Sequence, residues 1–303
     1  MVERLVANEK VEGSTPFARS KKKFKMIMWI ASYPKSGNTY LRSFLSSYYY
    51  SEDGKFEFSQ LSNIRQFPNI KFSKSKMNTS EEASKNWIYN QNLYFKKQDF
   101  HLVKTHNCLY PFNGHQFTSA NETMGAVYIV RDPRNVITSL KHHYSLNYEM
   151  AFKHMVNENA SLLETSVDKD FSNFTFLNSW SNHYKSWKYN SIFNVLFIKY
   201  EDLEKNKEET FKKVILFINK FKKNEINFNE KKFLNSIKST NFNNLKNKEL
   251  NEGFEESVYF KKTKKKVNFF NLGFNNRWKK ILSPDIVDIM NKKLDKEIKE
   301  LGY

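Results

Sequence analysis

The sequence predicts an α/β domain with a central, mainly parallel sheet flanked by helices. Three observations carry that expectation. Short apolar runs alternate with longer amphipathic segments along most of the chain, which is the strand-then-helix rhythm of parallel sheets. One of these runs, Ile27 to Ala31, passes through a tight Pro, Ser and Gly loop directly into an apolar-periodic segment. The composition is that of an ordinary globular chain: 303 residues, 39% hydrophobic, with 28 Phe and 16 Tyr to fill a core and only 8 Gly and 6 Pro.

In chain order, residues 26–33 read as the first strand and residues 39–50 as the first helix. Strands follow at residues 101–105, 125–131 and 194–200, each a short apolar run ending in a polar or aromatic residue. Helices are expected over residues 134–144, 177–189 and 207–219. A last helix has Pro284 in its first turn, where a missing N–H is harmless, and ends near Leu301. Residues 51–100 and 147–173 read as irregular and polar. Insertions of that kind carry acceptor recognition in α/β enzymes, because ligands collect outside the carboxyl ends of the strands. Residues 26–303 are therefore read as one domain.

Residues 1–25 lack the apolar core of a secretory signal and show no periodicity. Their run Val11-Glu-Gly-Ser-Thr-Pro-Phe-Ala-Arg-Ser20 is encodable by the T-arm of a transfer-RNA gene. Two readings stand: a basic disordered tail, or a mis-assigned start with translation beginning at Met26 or Met28. With or without it the chain is basic, at a formal net charge of +18 overall. Such charge favours anionic company, but the lysines scatter over segments spaced like exposed helix faces and specify no partner. The one cysteine, Cys108, excludes an intramolecular disulfide and a multi-cysteine zinc site, and points to a reducing compartment. Cys108 itself reads as a small buried filler. No apolar stretch is long enough to cross a membrane, so a cytoplasmic protein without stable membrane insertion is expected.

The loop Ser32-Tyr-Pro-Lys-Ser-Gly-Asn-Thr-Tyr40 has the parts of a phosphate cradle. Strand, tight turn and helix aim backbone N–H groups and a helix N-terminus at an anion, Lys35 adds a mobile positive charge, and Ser36 and Thr39 add hydroxyls. The fold expected is thus of the P-loop nucleotide-binding type. The order differs from the Gly-x-x-x-x-Gly-Lys-Ser/Thr loop of nucleoside triphosphatases, since Lys35 precedes Gly37 and the first glycine is absent.

Tyr33-Pro-Lys-Ser-Gly-Asn-Thr-Tyr40 resembles the 5′-phosphosulfate loop of the cytosolic sulfotransferases, which use 3′-phosphoadenosine 5′-phosphosulfate (PAPS). Two further segments, in the right order, resemble the same family. Val127-Tyr-Ile-Val-Arg-Asp-Pro-Arg-Asn-Val-Ile-Thr-Ser139 is similar to its 3′-phosphate motif, implying that Arg131 and Ser139 bind that phosphate. A planar guanidinium suits such a bidentate clamp. Leu102-Val-Lys-Thr-His106 is similar to the Lys-Thr-His signature, implying His106 as catalytic base and Lys104 as a sulfuryl contact, with Lys35 at the bridging oxygen. The resemblance also places Ser36, Gly37, Asn38 and Thr39 around the donor and Tyr40 against adenine, where the family usually has Trp.

Three later matches are shorter. Phe197-Ile-Lys-Tyr-Glu-Asp202 implies Tyr200 near the nucleotide, and Ser239-Thr-Asn-Phe-Asn-Asn-Leu-Lys246 implies Thr240 and Phe242 beside the base. Gly273-Phe-Asn-Asn-Arg-Trp278 resembles the family's Arg-Lys-Gly-x-x-Gly-Asp-Trp, but Asn271 and Leu272 stand where Arg and Lys are expected. Residues 264–266 or Arg277 are the candidate substitutes.

The resemblance implies sulfuryl transfer from PAPS, without a metal, to a hydroxyl-bearing acceptor such as a carbohydrate or small alcohol; neither a nucleic-acid partner nor an oligomeric state is indicated. His142 and His143 read as an exposed helix turn, since adjacent helix residues diverge in direction. Two other readings stand beside it. An atypical P-loop nucleotide kinase would need magnesium and a strand-end carboxylate, for which Asp132 is the candidate; a non-catalytic polyanion-binding module would bind nucleotide without turnover.

Overall fold

A computed structural model of the chain describes residues 27–95, 100–163, 170–222, 227–260 and 265–303; the expectations for residues 1–25 lie outside these. Strand β1 (Ile27–Ser32) leads into helix α1 (Asn38–Tyr50), followed by α2 (Ser80–Lys85) and α3 (Trp87–Tyr94). Then come β2 (His101–Thr105), β3 (Thr123–Val130), α4 (Pro133–Tyr144) and α5 (Tyr148–Val156). The short strands β4 (Ser161–Leu162) and β5 (Thr175–Phe176) precede α6 (Trp180–Lys188), β6 (Asn194–Lys199), α7 (Asp202–Lys205) and α8 (Lys207–Asn219). Helices α9 (Glu230–Ser239) and α10 (Phe242–Glu252), the strand pair β7 (Val258–Phe260) and β8 (Lys265–Val267), and helices α11 (Trp278–Ile281) and α12 (Pro284–Glu300) complete the described chain.

The four long strands form one all-parallel sheet in the order β2-β1-β3-β6. Both faces are covered, so β1 is buried along its whole length, as a parallel strand between two helical layers must be. The two-residue period divides its side chains: Ile27, Trp29 and Ala31 enter one core cluster with residues of α4, α6 and α12, while Met28 and Ile30 enter the other with α1 and α8. Burying each such side chain is worth about 1.5–3 kcal/mol, which makes this sheet a rigid platform for the loops at its carboxyl edge.

The four predicted strands and five predicted helices are present, with ends moved by up to three residues. The helix expected from Leu177 starts at Trp180, because Asn178 has positive φ and Ser179 caps the helix through the Asn182 N–H. The two segments read as irregular are corrected. Residues 51–100 hold α2 and α3, and residues 147–173 hold α5, where Asn147 caps through the Met150 N–H and Ala151 and Met155, four apart, are buried. Helices α9 and α10 had no counterpart in the sequence reading.

Candidate active site

The carboxyl ends of all four parallel strands open into one cavity of about 780 Å³. Each strand delivers a chemically useful residue just past its end: Lys35 after β1, His106 after β2, Arg131 after β3 and Tyr200 after β6. The parallel sheet, not sequence proximity, brings them together at one edge.

The loop after β1 is held in an unusual shape. Lys35 has φ 64° and Gly37 has φ 97°, so the chain doubles back before α1 begins. A left-handed conformation costs a non-glycine residue about 1–2 kcal/mol, and at Lys35 a hydrogen bond accompanies it, because its carbonyl accepts from Arg131 Nη1 at 3.0 Å. At Gly37 only glycine fits, since a Cβ there would stand 2.2 Å from the Tyr200 ring. Helix α1 starts with no side-chain cap and no acidic residue in its first turn, in contrast to α4, whose first turn Asp132 caps. Around this N-terminus, Lys35 Nζ, Ser36 Oγ, Asn38 Oδ1 and Tyr40 OH are buried with no hydrogen-bond partner. Buried polar groups are normally satisfied, so the donors among these, Lys35 Nζ, Ser36 Oγ and Tyr40 OH, fit an anionic ligand, while Asn38 Oδ1 can only accept. Lys35 Nζ lies 3.8 Å over the Phe269 ring. Burial first, and then Lys104 and Arg131 nearby, pull its pKa down to about 7 against the opposing pull of Glu256 and Glu249.

Arg131 ties the two ends of the cavity together. Its second terminal nitrogen donates to the Gly273 carbonyl at 3.3 Å and its guanidinium lies 4.2 Å over the Tyr200 ring, while Nε is buried without a partner. Gly273 approaches Phe242 so closely that a Cβ would meet the ring at 2.5 Å. Phe274 stacks on Tyr200 at 5.0 Å and meets Tyr40 edge-on at 5.6 Å, giving an aromatic wall.

His106 is fixed in one tautomer. Its Nδ1 is 2.7 Å from the Ser32 carbonyl, an acceptor, so Nδ1 carries the proton and Nε2 is the bare lone pair. Its own carbonyl accepts from His183 Nε2 at 3.0 Å, and His183 Nδ1 pairs with the Tyr128 hydroxyl at 2.8 Å. Burial and then Lys104 lower the His106 pKa to about 3, and burial lowers that of His183 to about 4, so both rings are neutral near pH 7.

Of the sequence-predicted residues, Lys35, Gly37, Asn38, Thr39, Tyr40, Lys104, His106, Arg131, Ser139, Tyr200, Phe242 and Gly273 line this one cavity. Ser36 is buried beside it. Thr240 is turned inward, fully buried, its hydroxyl donating to the Ser236 carbonyl. Asn271 and Leu272 line the cavity without supplying a cation. Of the candidate substitutes, Lys264 lies outside the described residues, Lys266 lines a separate surface cleft, and Arg277 is exposed and 3.6 Å from Glu204. Cys108 is fully buried against Ser186, as a filler should be. The reading of the histidine pair is corrected: His143 lines the cavity, edge-on to Phe269 at 5.7 Å, with Nδ1 buried and unpartnered. Asp132 is buried and held at 2.9 Å by both Arg134 Nε and Nη2, which directs its carboxylate away from metal binding.

Sequence reasoning missed Arg42 and two acids. The Glu256 carboxylate accepts from Thr39, Arg42 and Lys104. Buried Glu249 accepts from the Phe269 and Phe270 N–H groups and from Ser257, pinning the far wall. Neither acid sits in a recognisable motif, and the helix α10 that holds Glu249 and precedes Glu256 was itself not read from the sequence.

The sulfotransferase domain profile matches residues 26–302. Amine sulfotransferase from Oryctolagus cuniculus is 20% identical over 244 residues, 78% of this chain and 71% of that protein. Luciferin sulfotransferase from Photinus pyralis is 24% identical over 226 residues, 72% of this chain and 56% of that protein. Among solved structures, mouse sulfotransferase SULT7A1 complexed with PAP is similar at TM-score 0.58 and 17% identity, covering 91% of this chain and 85% of that one. Retinol dehydratase in a complex with retinol and PAP is similar at TM-score 0.55 and 17% identity, covering 91% and 82%.

Proposed function

The chain belongs to the sulfotransferase family, and from that premise we propose that it transfers a sulfuryl group from PAPS to the hydroxyl of a small alcohol or carbohydrate in the cytoplasm. The observation that carries this reading is His106: a neutral imidazole with its proton tied to Ser32 and Nε2 bare, beside Lys104 and across one cavity from the loop after β1. PAPS and PAP are carried by the likeness to structures complexed with PAP.

The buried, partnerless polar atoms of the loop suit the donor's 5′ side, and Arg131 with Ser139 suits its 3′-phosphate. The donor supplies the sulfuryl group. His106 Nε2 takes the acceptor's hydroxyl proton as the oxygen–sulfur bond forms and the bond from sulfur to the 5′-phosphate oxygen breaks, releasing adenosine 3′,5′-bisphosphate. Lys35 steadies the leaving oxygen and Lys104 the sulfuryl oxygens, so that catalysis is positioning plus fixed charge. The low basicity of His106 holds it neutral until a proton is offered, while His183 fixes the backbone on which it stands.

The cavity also presents Leu162, Leu163, Tyr144 and Tyr259 together with Gln66, Asn173 and Thr175, a mixed lining that supports a small hydroxyl-bearing acceptor with both apolar and polar surface. Release of adenosine 3′,5′-bisphosphate from PAPS, measured with a panel of alcohols, phenols and sugars, tests the reading. His106→Gln should lower turnover by about 10²–10⁴-fold with bisphosphate binding retained. Preference for magnesium–ATP over the bisphosphate would instead make the protein a nucleotide kinase, and tight bisphosphate binding with no turnover on any acceptor would make it a binding module.

A further inference from the structure

The cavity's strongest cations are already engaged by a residue of the chain itself. Glu256 lies between α10 and β7, and its carboxylate reaches the place where strand β2 and helix α1 converge. One oxygen accepts from Arg42 at 2.6 Å and Lys104 at 2.9 Å, the other from the Thr39 hydroxyl at 2.7 Å. Lys104 and Arg42 are deeply buried, with side chains 6% and 9% exposed. Burial works against the Glu256 charge, but Lys104, Arg42 and Thr39 outweigh it and hold the carboxylate well below its usual range, so it is an anion throughout neutral pH.

Lys104 is the donor that the proposed function assigns to the sulfuryl oxygens, and Thr39 is one of the loop residues that the family resemblance places around PAPS. A carboxylate and the phosphosulfate end of PAPS cannot share them, because two anions within a few ångströms repel strongly in a water-poor site. One must leave. Glu256 also lines a second cavity of about 790 Å³, which Arg42, Gln66 and Phe254 line with it. Arg42 Nε is buried there without a hydrogen-bond partner. The main chain around Glu256 is anchored, since Phe254 stacks on Phe58 at 4.6 Å and Ser257 bonds to Glu249. A rotation of the Glu256 side chain alone would release Thr39 and Lys104 while keeping its pairing to Arg42, now able to offer two N–H groups in a fork.

We propose that Glu256 is an internal occupant of the sulfuryl position: it neutralises the buried cations while the site is empty, and pivots on Arg42 into the second cavity when the donor arrives. This rests on the reading of the site as a PAPS site. Such a residue sets donor affinity, because every binding event must first undo its contacts to Thr39 and Lys104.

The test is calorimetric titration of wild type, Glu256→Gln and Arg42→Gln with adenosine 3′,5′-bisphosphate and with PAPS, alongside thermal unfolding of each with and without bisphosphate. Glu256→Gln, which keeps the shape but removes the competing charge, should bind both nucleotides about tenfold more tightly, about 1.4 kcal/mol, and PAPS should gain at least as much as the bisphosphate. Arg42→Gln, which removes the pivot, should bind more weakly. Free Glu256→Gln should melt below wild type, and saturating bisphosphate should close the gap. Equal or weaker nucleotide binding by Glu256→Gln overturns the proposal while the donor reading stands. Failure of wild type and variant alike to bind either nucleotide overturns the donor reading itself, and this inference with it. If Glu256→Gln does not fold, Glu256→Asp, one methylene too short to hold all three partners, should show the same tightening, and its absence there overturns the proposal equally.

Discussion

The proposed role of Lys35 makes donor binding depend on pH in a direction that can be worked out in advance. In the free protein its pKa is lowered to about 7, chiefly by burial. An anionic donor binds the charged form, so binding must raise that pKa, and affinity must fall as pH rises above its free value. With a free pKa of about 7, Lys35 is half charged at pH 7, about one-tenth charged at pH 8 and about one-hundredth charged at pH 9. The dissociation constant of adenosine 3′,5′-bisphosphate should therefore rise about fivefold from pH 7 to 8 and about tenfold from pH 8 to 9, the latter about 1.4 kcal/mol. The window avoids the second phosphate ionisation near pH 6, and His106 and His143, lowered to about 3, stay neutral across it. Titration in two buffers of different ionisation enthalpy should show uptake of about half a proton per site at pH 7 and about nine-tenths at pH 8. Lys35→Gln should bind weakly and almost independently of pH. An affinity constant from pH 7 to 9 in wild type, or the same slope in Lys35→Gln, would refute the reasoning.

Gly37→Ala should destabilise the protein by about 1–3 kcal/mol through backbone conformation alone. It should also weaken bisphosphate binding at least tenfold, because the new methyl displaces Tyr200 from Arg131; urea unfolding and calorimetry measure the two effects, and wild-type values in both would contradict the close approach. Glu249→Ala should lose about 3 kcal/mol or more, since it strands the Phe269 and Phe270 N–H groups and the Ser257 hydroxyl at about 1–3 kcal/mol each. A change in urea unfolding below about 0.5 kcal/mol, the range of an ordinary surface substitution, would show that those contacts do not bind the far wall.

What was legible in the sequence was local. The buried strands announce themselves as unbroken apolar runs and the loop after β1 carries its turn chemistry in consecutive residues, while the resemblance to sulfotransferase motifs named the strand-end residues Lys35, His106, Arg131 and Tyr200 before their convergence was known. Helices α9 and α10 were not legible, because with few buried positions each they are placed by what they pack against; in α10 only Leu245 and Glu249 are buried. Thr240 matched a short pattern, yet its side chain answers the nearer Ser236 carbonyl. His143 was misread because the identity of an adjacent pair does not reveal which member the helix turns inward. Arg42 and Glu256 escaped for a simpler reason: they are 214 positions apart, and each alone is an unremarkable charge.

Arg131 donates both to the Lys35 carbonyl and to the Gly273 carbonyl, and with the bonds from Thr138 to Asn276 and from the Trp278 N–H to Asn135 it joins the chain's last stretch to its first loop. During synthesis the turn at Lys35 leaves the ribosome long before these partners exist. The nascent sheet can assemble as soon as β6 has been made, but the binding loop must wait in an unfinished state for nearly the whole polypeptide. Ligand competence is thus acquired late, and a fragment ending before Gly273 would carry the loop sequence without the clasp that shapes it.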